Sequence, residues 1–372
     1  MKITFNQGDL IPVLAKVQGL AGRKTNLAIT TNLLIKTVDS GISLSATDLE
    51  TGFEGSYPAN VESQGTIAIN ARKFYEIVRD FPSEEIGLNE IENHWIEIGN
   101  EHVEYHIVGL NPDDFPEIPK IEGVEFFELD SHDLAKMIER AVIVSSASDD
   151  KRAHIIGVFA ERISEDTQKI FRMVSTDGSR LTKVDKIYDK DYDLPPGDGV
   201  MIPKKGLAEV AKFLDSEGAV QIGFKDNNLI IKKDFETLII RLLEGSFPAY
   251  TDIIRKSEGH IIHLDRHLFL MMLKRMSILS SDDYKGVIFN FSEDKLVITS
   301  TNPDIGESKE DMVVEFKGEP INVMFNPRFF IDTLNVVGDE KVLITIINEE
   351  KPCLIEGEND KTFLSVIMPM RI

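Results

Sequence analysis

A unit of about 125 residues recurs three times along this chain of 372, and no other feature constrains its fold as much. One marker is a strand running into a helix at residues 67–74, 200–207 and 323–330, with Ala71, Pro203 and Pro327 at the matching positions. Proline suits the first helical position, because its φ is already fixed and its missing N–H would have no partner there. A second marker is a strand ending in Thr-Asp or Thr-Asn, seen at Thr47-Asp48, Thr176-Asp177 and Thr301-Asn302. The third opens each unit, a short strand leading into a helix across residues 3–20, 127–145 and 262–279. Three markers in one order at similar spacing predict duplicated domains rather than a thin solenoid. The expected domains are residues 1–122, 123–254 and 255–372, with joints near Glu122 and Arg255.

Each unit is expected to carry two helices, in the windows 7–20, 71–81, 131–145, 204–214, 266–279 and 327–336. All six place apolar or near-apolar residues at i, i+3, i+4 and i+7. Leu10, Val13, Leu14 and Val17 form this stripe in the first; Leu207, Val210, Ala211 and Leu214 form it in the fourth. The remaining segments alternate like half-buried strands, for example residues 42–45, 95–98 and 296–298. Two helices per unit cannot cover every strand on both sides. The fold class is therefore α+β, with helices on one face and antiparallel sheets outside.

The net charge of −22 argues against tight nucleic-acid binding by the chain as a whole. Its distribution complicates that, because the six helical windows hold 13 Lys and Arg against 7 Asp and Glu. Arg72, Lys73, Lys204 and Lys205, with Lys16 and Arg140, lie on the helices, while Arg23, Lys24, Lys151 and Arg152 lie just past helix ends. Exposed helix faces favour Lys and Arg in any case. The functional alternative is a segregated field, with basic helices facing a polyanion and an acidic exterior repelling it. The charge is modest and carries no base-reading pattern, which suits loose, sequence-independent contact with a phosphate backbone.

Catalytic motifs are scarce. The chain has no Walker loop, nucleophile elbow or HExxH, and Gly197-Asp198-Gly199 reads as a turn. His102, Glu104 and His106 share one face of a predicted strand, but no second cluster completes a metal shell. The single cysteine, Cys353, sits in an apolar strand as a core residue and makes no internal disulfide, so a reducing cytoplasm is expected. Carboxylate pairs occur at Asp48/Glu50 and Asp149/Asp150, but repeat position accounts for the first and a polar loop for the second. No apolar run approaches the roughly 20 residues that span a bilayer. No cofactor is expected, and a hydrolase built on Asp48 is the weakest reading.

The last residues, Met368-Pro369-Met370-Arg371-Ile372, follow the apolar run 363–368. They are either a final strand packed into its own core or one wall of a protein-binding groove. Methionine adapts well to varied apolar partners, so the pattern by itself is compatible with both.

Over essentially its full length the chain resembles the sliding-clamp family, the beta subunits of bacterial DNA polymerase III. The resemblance rests on residues 46–50, Asp114-Phe115-Pro116, residues 175–181, Gly245-Ser246-Phe247-Pro248-Ala249-Tyr250 and residues 366–372. It implies a head-to-tail homodimer of three-domain crescents whose six domains close a ring, with twelve helices lining a hole for duplex DNA. It implies a processivity subunit without a catalytic site. The implied interface sets Tyr105 and Ile107 against Ile278 and Leu279. The implied peptide groove comprises Ile155, Thr176, Gly178, Arg180, Leu181, Pro248, Ile367, Met368, Pro369, Met370 and Arg371. Its partners would be the replicative polymerase catalytic subunit, the clamp loader, and other polymerases and repair proteins carrying a short motif of glutamine and bulky apolar residues. Such a clamp works in the bacterial cytoplasm, on the nucleoid during replication. Two positions depart from better-known members: Ser179, often histidine there, and Asp252, where some carry a basic residue. The alternative is an acidic three-domain adaptor that binds peptides but never encircles DNA.

Overall fold

The computed structural model describes residues 1–21, 27–39, 41–119, 122–144, 152–165, 168–188, 195, 198–214, 217–255, 258–280 and 285–371. All six expected helices form, as Gln7–Ala21, Ala71–Arg79, Ser131–Val142, Lys204–Phe213, Arg266–Met276 and Pro327–Val336. The third is shorter than its window, ending where Val142, Ile143 and Val144 put β-branched side chains in succession. The fifth continues as a 3-10 turn, Ser277–Leu279.

The apolar stripes face inward with one correction. Ala211 is exposed, and Phe213 takes its place in the core, stacking on Phe53 with ring centroids 4.9 Å apart. Pro203 is a second correction. Three equivalent backbone bridges, Ala68–Leu110, Met201–Leu243 and Met324–Met370, align the repeats and put Lys204 rather than Pro203 opposite Ala71 and Pro327. Pro203 instead matches the helix-capping residues Asn70 and Asn326, whose side chains accept from Lys73 N and Arg328 N. Proline cannot cap in that way. It ends the strand Val200–Pro203 at a sheet edge, where its missing N–H breaks no ladder.

The first residue of the opening helix ties the two helices of a repeat together. Gln7 Nε2 donates to Val78 O at 2.7 Å and Phe81 O at 3.0 Å, at the end of helix Ala71–Arg79. Arg266 does the same for the third repeat, donating to Leu334 O at 3.0 Å and Asp339 O at 2.9 Å. These bonds satisfy carbonyls that a helix end leaves without an intrahelical donor.

By contacts the chain forms two compact units, residues 1–134 with 205–242, and residues 135–204 with 243–372. The division follows the sheets and not the repeats. In the first unit an eight-stranded antiparallel sheet pairs Thr51–Tyr57 of the first repeat with Glu236–Arg241 of the second. In the second unit another eight-stranded sheet pairs Arg180–Tyr188 of the second repeat with Phe363–Ile367 of the third. Each joint is thus a continuous ladder of backbone hydrogen bonds. A five-stranded sheet in the first unit ends on Glu104–Val108, and a four-stranded sheet in the second ends on Gly306–Val313.

Candidate interaction sites

The joint between Arg180–Tyr188 and Phe363–Ile367 sets Leu181 opposite Val366 and Lys183 opposite Leu364. Leu181, Val366 and Leu364 join Val174, Leu354 and Tyr250 in one buried cluster, with Phe159, Phe247 and Ile254 packed at its margin. Phe247 stacks on Phe159 at 5.2 Å, and the Tyr250 hydroxyl donates to Glu161. Burial, with that bond, pushes the Tyr250 phenol up. These anchors fix the segment that carries Pro248, which is exposed.

The chain's last residues settle against both neighbouring strands. Met368 N–H donates to Ser179 O at 2.9 Å and Met370 N–H to Met324 O at 2.8 Å. Ile367 is fully buried, yet Met368 and Met370 remain 40% and 37% exposed. The tail's backbone therefore joins the sheet, as the first reading of the tail expects, while the two thioether side chains stay partly exposed. Ile155 is buried nearby in sequence from the helical turn Ala153–Ile156, and Arg371 is exposed.

The turn 176–180 is held by its own side chains. Thr176 Oγ1 donates to Arg180 O at 2.7 Å and accepts from Gly178 N, while Asp177 Oδ1 accepts from Ser179 N and Arg180 N. Thr47 and Asp48 make the same set with Leu49, Glu50 and Thr51, which is the repeat expressed in hydrogen bonds. Gly178 has φ +90°, a left-handed conformation that glycine takes without a Cβ clash. Arg180 is buried between Asp177 Oδ2 at 2.9 Å and Asp332 Oδ2 at 2.6 Å, with its guanidinium 4.3 Å from the Phe329 ring centre. It sets the turn's shape and reaches the helix Pro327–Val336.

The candidate DNA-binding residues are differently placed. Arg23, Lys24 and Lys151 lie outside the described residues. Arg72 and Lys73 are well exposed and both pair with Glu76, at 3.1 and 2.8 Å. Arg152 is exposed. Lys205 bridges Asp48 at 2.8 Å and Glu50 at 3.1 Å. Burial pushes the Asp48 carboxyl up, but hydrogen bonds from Lys205 and the Thr51 and Glu50 N–H groups outweigh it and leave the carboxyl below its ordinary range. Arg140 is a correction: it is buried, donating to Asp360 at 2.7 Å and to Val336 O and Thr362 Oγ1, so it offers nothing to a polyanion.

Lys204 is half-buried and donates to Ile155 O at 2.6 Å. Burial brings its ammonium down to about 8, with Asp177 raising it and Arg180 lowering it further. The unfolded chain holds that proton up to a pKa of about 10.4. Between these values the unfolded state binds more protons, so stability rises with pH through this window. Urea midpoints taken from pH 7 to 9.5 should rise for the wild type relative to Lys204→Met. Parallel curves would show that Lys204 is not desolvated.

The four interface candidates lie on or beside the terminal edges. Tyr105 and Ile107 belong to Glu104–Val108, with Tyr105 40% exposed; Ile278 is 74% exposed and Leu279 half-buried beside it. Val108, Ile305 and Val313 add exposed apolar surface at these edges that the sequence reading missed. Glu104 and His106 do meet, but with Glu97 rather than His102. Their ligand atoms lie within 4.8 Å of one another in a largely exposed group, in which His106 Nε2 is 3.1 Å from Glu104 Oε1. Cys353 is fully buried, and burial pushes its thiol up, away from nucleophile chemistry. Asp149 and Asp150 lie outside the described residues.

A cavity of about 350 Å³ lies in the first unit, lined by Thr47, Leu49, Gly52, Pro116, Ile239 and Arg241 among others. By repeat position these match Thr176, Gly178, Leu181, Pro248, Val366 and Met368, so the cavity is the first joint's counterpart of the predicted groove. There Leu49 stands where Gly178 stands, at φ 77°.

Three family profiles cover nearly the whole chain: the N-terminal domain of the DNA polymerase III beta subunit at residues 1–119, its central domain at 128–249 and its C-terminal domain at 251–371. The chain belongs to the DNA polymerase III beta subunit family. The beta sliding clamp of Vibrio cholerae serotype O1 is 28% identical over 379 residues, covering all of both chains. That of Bacillus subtilis is 26% identical over 388 residues with the same coverage. The crystal structure of the DNA polymerase III beta subunit clamp of Bartonella birtlesii bound to griselimycin superposes with a TM-score of 0.93 at 26% identity, covering all of both chains. The three-domain clamp fold of mixed helices and antiparallel sheets is therefore that of this beta subunit.

Proposed function

We propose that this beta subunit, a DNA sliding clamp that confers processivity and has no catalytic site of its own, closes head to tail with a second copy around duplex DNA. The observation that carries the closure is the pair of edge strands Glu104–Val108 and Gly306–Val313, whose outer sides pair with no strand among the described residues. They occupy, in the third place, the repeat positions of the strands that make the two joints within the chain. Exposed edges with apolar side chains invite pairing with another chain. A head-to-tail contact forms a closed ring when its rotation fits. The domains are divided at Glu122 and Arg255, and six of them would make the ring.

Arg72, Lys73, Arg152, Lys204 and Lys205, with Arg23, Lys24 and Lys151, are the proposed phosphate contacts. Several are already paired with carboxylates, so each contact with DNA exchanges one partner for another and gains little. That suits a ring that must slide, held by topology rather than by affinity. Tethering is assigned to a groove of Ile155, Thr176, Gly178, Arg180, Leu181, Pro248 and Ile367 through Arg371, a reading supported by the partly exposed Met368 and Met370 and by the buried apolar cluster that includes Leu181. An extended peptide with glutamine and bulky apolar residues, from the replicative polymerase, the clamp loader or repair proteins, is the expected ligand. The setting is the bacterial cytoplasm, on the nucleoid during replication.

Two measurements test this. Clamp loaded on nicked circular DNA should stay bound and escape once the circle is cut; equal retention on linear and circular DNA would instead favour the peptide-binding adaptor. A labelled Gln-Leu-x-Leu-Phe peptide should bind saturably by fluorescence anisotropy and lose all measurable affinity to a chain lacking residues 368–372. Retained binding by that truncation would remove the tail from the site.

A further inference from the structure

One hairpin of the five-stranded sheet brings three metal-ligating side chains to a single face. Trp95–Gly99 and Glu104–Val108 pair in antiparallel register, with Ile98 opposite Tyr105 and Ile96 opposite Ile107. Ile96 and Ile98 are buried, so the alternate residues Trp95, Glu97, Glu104, His106 and Val108 share the other, solvent-facing side. Glu97 stands directly across from His106, and Glu104 lies two residues before His106 on the same strand. His106 Nε2 is 3.1 Å from Glu104 Oε1 and 3.9 Å from Glu97 Oε2, and the three ligand atoms fall within 4.8 Å of one another.

We infer that Glu97, Glu104 and His106 form a binding site for a divalent transition-metal ion of the zinc type, held within one chain and independent of ring closure. Two carboxylate oxygens and an imidazole nitrogen suit such an ion, whereas calcium and magnesium take oxygen ligands. Donor atoms around a tetrahedral zinc at about 2.0–2.2 Å stand about 3.3–3.6 Å from one another. The separations here bracket that range, and small rotations of exposed side chains close the difference. Three protein ligands leave the fourth position to water.

Charge supplies a separate reason. Among the described residues neither Glu97 nor Glu104 has an ion-pair partner other than His106. Lys2, whose ammonium feels the Glu97 charge, is held by Glu62 at 2.6 Å. A neutral imidazole leaves two carboxylate charges facing each other, and a dication neutralises both. The hairpin sets the ligands in place without the ion. Asn100 Oδ1 accepts from His102 N at 2.9 Å and Val103 N at 3.0 Å, and Asn100 N–H donates to Val103 O at 2.9 Å. That turn fixes the register and keeps His102 out of the cluster. A bound ion would tie the sheet's last strand to its neighbour through side chains as well as through the backbone ladder.

The chain's single tryptophan reports on the site. Trp95 lies two residues before Glu97, on the same face, and is 44% exposed. In the full chain without a histidine tag, Ni²⁺ should quench its fluorescence saturably. Excess Zn²⁺, which does not quench, should displace the Ni²⁺ and restore the emission. His106→Ala and the isosteric Glu97→Gln should each weaken binding at least about tenfold. His102→Ala should bind as the wild type does, and equal urea midpoints without metal would certify the fold of all three. Quenching that never saturates in the wild type, or that saturates equally in His106→Ala, overturns the site. So does binding lost in His102→Ala alone. A rise in mass by light scattering as Zn²⁺ is added would mean that exposed histidines bridge separate molecules, and would overturn it as well.

Discussion

Replacing Arg140 by methionine is expected to destabilise the unit formed by residues 135–204 and 243–372 by about 2–3 kcal/mol. The side chain is long enough for methionine to fill most of its volume, so the loss is chiefly electrostatic. Arg140 is almost fully enclosed, and it donates to Asp360 at 2.7 Å, Val336 O at 3.3 Å and Thr362 Oγ1 at 3.3 Å while lying over the Phe363 ring. Without it, Asp360 keeps only Lys136 at 3.7 Å and its bonds from Thr362, Asp360 being mostly enclosed itself. The retained Lys136 contact is why the expected cost sits below that of a fully buried pair. A double variant, Arg140→Met with Asp360→Asn, should recover much of the loss, since no charge is then stranded.

Acid provides a second readout of the same pair. Burial pushes the Asp360 carboxyl up, but hydrogen bonds from Thr362 and Arg140 and the Arg140 charge bring it down to about 2. An unfolded aspartate titrates near a pKa of about 3.9. The folded state therefore binds fewer protons between those values, and the stabilisation, complete above the unfolded pKa, is lost as pH falls towards about 2. Urea titrations from pH 5 to pH 2.5 should fall more steeply for the wild type than for Arg140→Met. Equal slopes would mean that Thr362 alone depresses the carboxyl.

Arg140 also shows where the sequence stops being informative. At its position on the helix Ser131–Val142 it looks like one more basic residue beside an apolar stripe. Its partner is 220 residues away, and nothing local announces it. The helices themselves were legible because a period 3.6 apolar pattern is a local signal. The error at Pro203 has the same origin: proline marks the start of a helix within one residue, and only the bridge at Met201 decides which. The buried cluster beside the proposed groove was legible in part. Resemblance named Leu181, Pro248 and the methionines for the proposed groove, but Val174 and Leu354, which share a buried cluster with Leu181, come from neighbouring strands, and Tyr250 in that cluster comes from the segment before the turn Thr251–Ile254. Met324 holds the tail through a carbonyl, a group every residue carries. The continuity of sheets across repeats was not legible at all, because an alternating strand does not say which neighbour it pairs with.

That continuity bears on the strongest effect expected of a single surface substitution. Ile278→Asp should turn the proposed dimer into monomers, raising its dissociation constant at least about 100-fold, because at the proposed interface a carboxylate would be enclosed among apolar side chains with no partner. Ile278 follows the helix Arg266–Met276 on the turn Ser277–Leu279 and is 74% exposed in the single chain, so the change should leave the fold undisturbed. Leu279 is the riskier choice for the same experiment. It is half-buried already, and its carbonyl accepts from Asn302 Nδ2 at 2.9 Å, so an aspartate there would strain its own domain as well as the interface. The mass in solution should fall to half for Ile278→Asp across a dilution series, while peptide binding at the groove around Leu181 and Met368 stays at the wild-type value and certifies the fold. Loading on circular DNA should disappear with the dimer, because a clamp that cannot close has no means of staying on DNA beyond its few paired, weakly attracting lysines and arginines. An unchanged mass would remove Ile278 from the interface and, with it, the apolar half of the closing contact, leaving only the edge strands to hold the ring.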